Sequence, residues 1–285
     1  MSVAQALLLG VIQGLTEFVP VSSTAHLYIA QALLGIRNDA VALSFDVVLH
    51  LGTAVALLLA LGRELGRILE EAFLFARGRP ARDPSARAVI LPLVVGTLPG
   101  VFAGLFLLKK IESVRTLGLI GLSMLVACPY FLFAEWRGAR NARERDLSEL
   151  TLADALWIGV AQAAAGLMAG FSRSGFTIST GRVRGLARDE SARFSFLLAL
   201  PIILGAGAKA LLDLRKSPQP AIGSSALAVG FLASALVGFA AVRFLLRFLK
   251  THTLRPFAVY LAVLGLLLLA VTYARHLPLL APLSH

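Results

Sequence analysis

The stretch that decides the fold of this chain is QGLTEFVPVSSTAH, residues 13–26, together with a second stretch, AGFSRSGFT, residues 169–177. Both place hydroxyl and charged side chains between segments that are otherwise apolar enough for a lipid bilayer. Polar clusters inside a membrane are expensive, so they mark a functional site by default. The two stretches therefore predict a polar site built into a membrane protein.

The composition indicates a helical membrane protein with a single domain spanning residues 1–285. Of its 285 residues, 58% are hydrophobic and 15% charged, with a mean hydropathy of +0.81, whereas soluble domains carry about 25% charged residues. Strand-type alternation is absent, which argues against a barrel. The net charge of +11 is concentrated in short loops beside apolar segments. Orientation in the membrane explains it better than nucleic-acid binding does, and contact with anionic lipid headgroups is an addition.

Six segments are apolar and long enough to cross a bilayer. They are 41–62, 88–108, 116–134, 194–214, 225–247 and 257–274. Residues 3–18 and 22–36 are each too short, and Pro20 separates them, so we expect a re-entrant hairpin of two half-length helices. Residues 152–171 could span alone, or form a second hairpin with 174–185.

The distribution of Lys and Arg favours the second hairpin. With it, loops 63–87, 135–151, 182–193 and 247–256 share one face and hold 17 Lys and Arg residues, against 7 on the opposite face. By the positive-inside rule, both termini then lie outside the cytoplasm. Each half has three crossings, so the halves are inverted, and we expect the hairpin tips near Pro20 and Phe171 to meet at mid-membrane.

The same two halves are related by an internal repeat, about 1–135 and 151–275. An offset of 149 residues aligns Gln13 with Gln162 and Phe45 with Phe194, and an offset of 134 aligns Gly96 with Gly230. Inverted repeats with broken helices form their sites at the repeat interface.

The residues at the two tips suit an anion. Ser22, Ser23 and Thr24 open one helix and Ser172 and Ser174 open the other, where they are good caps. Two helix N-termini that converge make a phosphate site. Arg173 adds a planar guanidinium that can bind two phosphate oxygens at once.

Glu17 supplies a carboxylate that suggests a base or a metal ligand. Gln13 lies one turn earlier, so the pair could hold Mg²⁺ or Ca²⁺ through oxygen. His26 follows Ser23 by three residues, and we expect both to face one substrate. Plainer interpretations stay open. The serines could be only caps, His26 a structural residue, and Glu17 a partner of Arg173. Asp46 and His50 could form a structural pair or face the cavity.

At these residues the chain resembles the undecaprenyl pyrophosphate phosphatase family, also called the bacitracin-resistance protein family. The two motifs at 13–26 and 170–177 carry the resemblance, and similarity at 45–53, 96–99 and 193–201 supports it over nearly the whole chain. The resemblance implies removal of the terminal phosphate from a C55 isoprenoid diphosphate. This reaction recycles the lipid carrier of bacterial cell-wall synthesis at the outer face of the cytoplasmic membrane. It also implies a divalent cation and an inverted-repeat fold with two re-entrant hairpins.

The resemblance also implies roles for individual residues. The family's glutamate-rich motif falls on Gln13 and Glu17, although its first position is often Glu. Catalytic serine and histidine roles fall on Ser23 and His26. The family's phosphate-binding motif falls on four residues of the second stretch: Ser172, Arg173, Ser174 and Thr177. Ala25 and Ala169 replace a usual glycine and proline.

We therefore expect a membrane phosphatase with Glu17, Ser23, His26 and Arg173 in catalysis. Substrate contacts are expected from Ser22, Thr24, Ser172, Ser174 and Thr177. The attacking group, Ser23 or a water, stays open. The expected partners are a polyprenyl diphosphate and membrane lipids without nucleic acid, and a homodimer stays open. The rival hypothesis is a transporter or lipid flippase with an inverted-repeat fold.

Overall fold

The computed structural model describes residues 1–36, 40–106, 116–216 and 222–276. These residues form α-helices, a short 3₁₀ turn and connecting loops, with no β-strand among them. The helices, named in chain order, are α1 Val3–Thr16, α2 Ser23–Leu33, α3 Ala40–Ala60, α4 Gly62–Ala76, α5 Pro84–Phe106, α6 Leu117–Gly138, α7 Leu152–Leu167, α8 Arg173–Val183, α9 Arg188–Lys216, α10 Ser224–Phe248 and α11 Arg255–His276.

Six of these helices are long and apolar enough to cross a membrane. They are α3, α5, α6, α9, α10 and α11, and each overlaps one of the six predicted spans. The prediction of an all-α polytopic membrane protein is confirmed.

The two predicted hairpins are present, and their tips touch. Helices α1 and α7 have 14 and 16 residues. At 1.5 Å per residue they are about 21 and 24 Å long, short of the ~30 Å hydrocarbon core. Each turns back into a shorter partner, α2 or α8, against which it packs. Between the two turns, Arg173 Nη2 lies 2.9 Å from Glu17 Oε1, and Ser174 Oγ donates to the Val19 carbonyl over 3.3 Å. The depth of the tips in a membrane stays a prediction.

Packing between the halves follows the repeat. Helix α1 packs against α10, and α7 packs against α5. Gly10 meets the backbone of Gly230 so closely that a Cβ would collide with its carbonyl, and Gly159 meets Gly96 in the same way. These two contacts are related by the offsets of 149 and 134 residues that align the sequence with itself. The division near 1–135 and 151–275 remains a prediction, and this paired contact supports it.

Helix α4 lies in the segment 63–87, which we expected to be a loop. It is anchored by Glu71, which is 1% exposed. The Glu71 carboxylate accepts hydrogen bonds from the backbone N–H groups of Asp83 and Arg82 and from Arg87 Nε. The N–H of Asp83 is the main cause that lowers the pKa of Glu71 below its ordinary value of 4.5. Glu71 therefore fixes the link between α4 and α5.

The four segments rich in Lys and Arg meet at one end of the molecule, as the distribution of these residues predicts. They are 63–87, 135–151, 182–193 and 247–256. Glu64, Asp146 and Glu190, from three of these segments, line one shallow cavity. Glu135 accepts hydrogen bonds from Arg188 and from a backbone N–H of the fourth segment. Which side of the membrane this end faces stays a prediction. Some of the Lys and Arg residues predicted on the opposite face, Arg37 and those at 109–115, lie outside the described residues.

Candidate active site

A cavity of about 660 Å³ opens where the two hairpin tips meet, a volume typical of ligand sites. Its polar lining includes Glu17, Ser22, Ser23, Thr24, Ser172 and Arg173. Its apolar lining includes Leu27 of α2, Leu43 and Val47 of α3, and Ile202 and Ile203 of α9. The cavity therefore combines a cluster of anion-binding groups with an aliphatic wall.

Glu17 is the hub of the polar cluster, and it is buried. Its Oε2 accepts hydrogen bonds from Ser23 Oγ over 2.7 Å and from Gln13 Nε2 over 3.0 Å. Its Oε1 pairs with Arg173 Nη2 over 2.9 Å, and His50 Nε2 lies 3.5 Å from Oε2. One carboxylate thus joins both hairpins and α3.

The first hairpin presents an uncapped helix N-terminus to this cluster. Ser22 precedes α2 with φ 71° and ψ 90°, and its side chain makes no capping hydrogen bond. It is the one non-glycine residue with positive φ in the described part of the chain. Such a conformation costs on the order of 1–3 kcal/mol and persists at sites where function requires it. The first N–H groups of α2 have no intrahelical acceptor, so they remain available to an anion.

The second hairpin divides its polar residues between the cavity and the protein interior. Ser172 Oγ accepts from the N–H of Gly175, which caps α8, while the side chain also lines the cavity. Ser174 lies against Ser172 and Val19. Thr177 donates to carbonyls of its own helix and shares a hydrogen bond with Ser195 of α9. In this structure Ser174 and Thr177 hold helices together and do not line the cavity.

His26 does not share the cavity with Ser23, contrary to our expectation. Its Nδ1 bonds to the Ser22 carbonyl over 2.8 Å, and its Nε2 bonds to the Tyr260 hydroxyl over 2.6 Å. The ring also stacks on Tyr260 of α11. Residues three apart on a helix differ by about 60° around its axis, and on α2 this difference carries His26 out of the cavity and against Tyr260 of α11. The imidazole beside Glu17 belongs to His50, whose role the sequence left open.

Three buried polar atoms at this site have no hydrogen-bond partner among the described residues. They are Gln13 Oε1, Ser22 Oγ and Arg173 Nη1. Buried polar groups are nearly always satisfied, so each of these atoms is available to bind a ligand in the cavity. An acceptor oxygen, a hydroxyl and a guanidinium N–H are together the partners of a phosphate and a cation.

The donor set for a metal is small. Among the described residues no group of three or more His, Cys, Asp and Glu side chains could hold an ion. Gln13 Oε1 and the Glu17 carboxylate provide oxygen ligands only. Mg²⁺ commonly takes one or two carboxylates and completes its shell with substrate phosphates and water. Glu17 supplies one such carboxylate, and Gln13 would add its Oε1 once its amide turns, because Nε2 faces Glu17 in this structure.

Comparisons with known proteins agree with this geometry. A family model described as "Bacitracin resistance protein BacA" matches residues 6–267. A relative from Rubrobacter xylanophilus named undecaprenyl-diphosphatase is 42% identical over 270 residues, which cover 94% of this chain and 97% of the relative. Proteins of the same name from Pelotomaculum thermopropionicum and Chlorobaculum tepidum are 40% and 38% identical and cover 98% and 99% of those chains, and 96% and 97% of this one. The chain therefore belongs to the bacitracin resistance protein BacA family.

Proposed function

We propose that this protein is a membrane phosphatase that hydrolyses undecaprenyl diphosphate to the monophosphate, and so recycles the lipid carrier of cell-wall synthesis. The observation that carries the proposal is the Ser23–Glu17–Arg173 cluster beside the uncapped start of α2. It stands in a cavity with an aliphatic wall. Family membership and the names of the relatives support it.

Ser23 is the nucleophile that the geometry favours. Its Oγ donates to Glu17 Oε2 over 2.7 Å, the contact expected between a nucleophilic hydroxyl and its base. Ser23 Oγ attacks the terminal phosphorus while its proton passes to Glu17. The bond from phosphorus to the bridging oxygen breaks and releases the lipid monophosphate. Water then hydrolyses the phosphoserine to regenerate the serine and release inorganic phosphate.

The terminal phosphate is bound by groups that have no hydrogen-bond partner among the described residues. Arg173 Nη1, Ser22 Oγ and the first N–H groups of α2 donate to its oxygens, with Ser172 and Thr24 beside them. Charge-assisted donors placed where charge develops in the transition state usually contribute more to such catalysis than any other group. Ser174 and Thr177 support this arrangement by packing the second hairpin against its neighbours.

The two histidines take different roles in this proposal. His50 donates from Nδ1 to the Asp46 carbonyl, which directs Nε2 at Glu17. With a proton on both ring nitrogens, His50 donates from Nε2 to the carboxylate and holds it in place. His26 positions the strained Ser22 turn by bonding its carbonyl, and a direct proton transfer by His26 would require its ring to leave Tyr260 first.

We propose a divalent cation, Mg²⁺ or Ca²⁺, held by Gln13 Oε1 and Glu17 together with the diphosphate. When bound, it neutralises charge on the phosphate oxygens.

We further propose that the protein lies in the bacterial cytoplasmic membrane with both termini outside and the cavity open to the outer face. Association as a homodimer is part of the same proposal. A transporter or flippase role has no support from the relatives, which are named for the hydrolysis.

The test is phosphate release by the purified full chain in detergent, with no ion gradient, on undecaprenyl diphosphate. Release that stops with a chelator and returns with Mg²⁺ or Ca²⁺ supports the enzyme and the cation together. Release that persists in chelator removes the cation from the proposal. No release under either condition, from protein that remains folded, contradicts the enzyme.

A further inference from the structure

Ser123 of α6 lies in none of the motifs, yet its side chain lines the cavity. It is 3% exposed and makes no hydrogen bond to any described residue. A hydroxyl in a helix usually donates to the carbonyl four residues earlier. In this chain Thr16, Thr97 and Thr272 all do so, and the thiol of Cys128 does the same. Ser123 makes no such bond, so its hydroxyl stays free at the cavity wall.

The position of Ser123 is fixed by the second hairpin. Gly170, with φ 101°, approaches α6 so closely that a Cβ there would lie 2.8 Å from the Cβ of Ser123 and 2.6 Å from the Ile120 carbonyl. Two residues later comes Ser172, the cap of α8, and then Arg173. Ser123 thus packs directly against the turn that presents the guanidinium.

We propose that Ser123 is a further substrate-binding residue, whose Oγ–H donates to a diphosphate oxygen of the bound lipid. Ser123 lines the same cavity as Ser172 and Arg173, so a diphosphate bound by these residues can also accept from its hydroxyl. It adds a third segment of the chain, α6, to the two hairpins that hold the headgroup. This inference rests on the proposed function, because it deepens the description of the same site.

The test compares Ser123→Ala with Ser179→Ala in the full-length protein. Ser179 is a matched control, because it is also a buried helical serine whose hydroxyl has no partner among the described residues, and it does not line the cavity. Three quantities are measured: KM and kcat for undecaprenyl diphosphate, and the Kd of inorganic pyrophosphate, which has no lipid tail.

The loss of one hydrogen bond to a charged oxygen predicts a rise of roughly ten- to a hundredfold in KM and in the pyrophosphate Kd for Ser123→Ala. We expect kcat to change less than twofold, and Ser179→Ala to leave all three values unchanged. Ser123→Cys, with a weak donor of similar size, gives the same test if the alanine variant does not fold.

Unchanged KM and Kd in the Ser123 variants would overturn the proposal. A raised KM with an unchanged pyrophosphate Kd would also overturn it, because the residue would then contact the lipid and not the diphosphate. A failure of the proposed function is distinguishable, since the wild-type protein would then release no phosphate while the pyrophosphate Kd could still be compared between variants.

Discussion

Arg173 is the residue whose conservative replacement tests the site most sharply. Its guanidinium divides between two partners: Nη2 pairs with Glu17 Oε1 at 2.9 Å, and Nη1 is buried without a partner among the described residues. Lys at this position has a single ammonium in place of the planar fork. In Arg173→Lys that ammonium can keep the ion pair with Glu17 or bind the phosphate, but cannot reproduce both contacts.

The size of the effect follows from the contact that is lost. Removing one charge-assisted donor from a transition-state oxyanion costs about 3 kcal/mol, or roughly a hundredfold in rate. Because Lys can still neutralise Glu17, we expect the variant to fold and the hairpins to stay together. The loss should therefore appear in kcat/KM and not in the thermal midpoint Tm.

The assay is steady-state phosphate release on undecaprenyl diphosphate, with Arg243→Lys as the matched control. Arg243 also lies within an apolar helix, α10, where it contacts the Phe239 ring and no carboxylate among the described residues. We expect the control to retain wild-type turnover. Near-normal turnover by folded Arg173→Lys would show instead that Arg173 is only a structural charge.

Three further predictions test other parts of the structure. Gly166 faces open space in the cavity wall, so Gly166→Leu should obstruct the substrate and lower kcat/KM at least tenfold. Gly205 of α9 also faces open space but does not line the cavity, so Gly205→Leu should have little effect in the same assay. Tyr260→Phe removes the hydroxyl that holds His26 Nε2, and we expect it and His26→Gln to lower phosphate release together. Wild-type kinetics in Tyr260→Phe beside an impaired His26→Gln would contradict a role for Tyr260 in holding the His26 ring. The pKa of Glu71 is lowered in the folded protein. Its contribution to stability is therefore complete above pH 4.5 and is lost as the pH falls through the lower, folded-state pKa. Hydrogen-exchange protection of the α4–α5 link should fall at acid pH, and Glu71→Ala should show the same loss at neutral pH.

Much of the fold could be predicted because it depends on segment length and charge. The six spans follow from apolar runs, and the second hairpin from the distribution of Lys and Arg. The meeting of Glu17 and Arg173 followed from the inverted arrangement of the two hairpins. Helix α4 was missed because its many charges suggested a loop, although the apolar side chains of Leu65, Ile68 and Leu69 recur at helical spacing.

The details of the site could not be predicted because they depend on the turns. The offset between the halves is 149 at Gln13 but 150 at the caps, Ser22 and Ser172, so one half has an extra residue in its turn. An added residue in an irregular turn changes the direction in which the following helix leaves it, so helical spacing alone does not fix which of its side chains face the cavity. Spacing alone therefore could not tell that His26 turns toward α11 or that His50 reaches Glu17.

We propose that Glu17 activates Ser23 at the meeting point of the two hairpins, and the variant Glu17→Gln tests this role without changing the shape of the side chain. Gln cannot accept the serine proton. Loss of a general base costs roughly 10²–10⁴-fold in rate, so phosphate release from undecaprenyl diphosphate by purified Glu17→Gln should fall at least about a hundredfold. Glu190→Gln, at the distant basic end of the molecule, should retain wild-type release. Substantial hydrolysis by folded Glu17→Gln would contradict the assignment of Glu17 as the base.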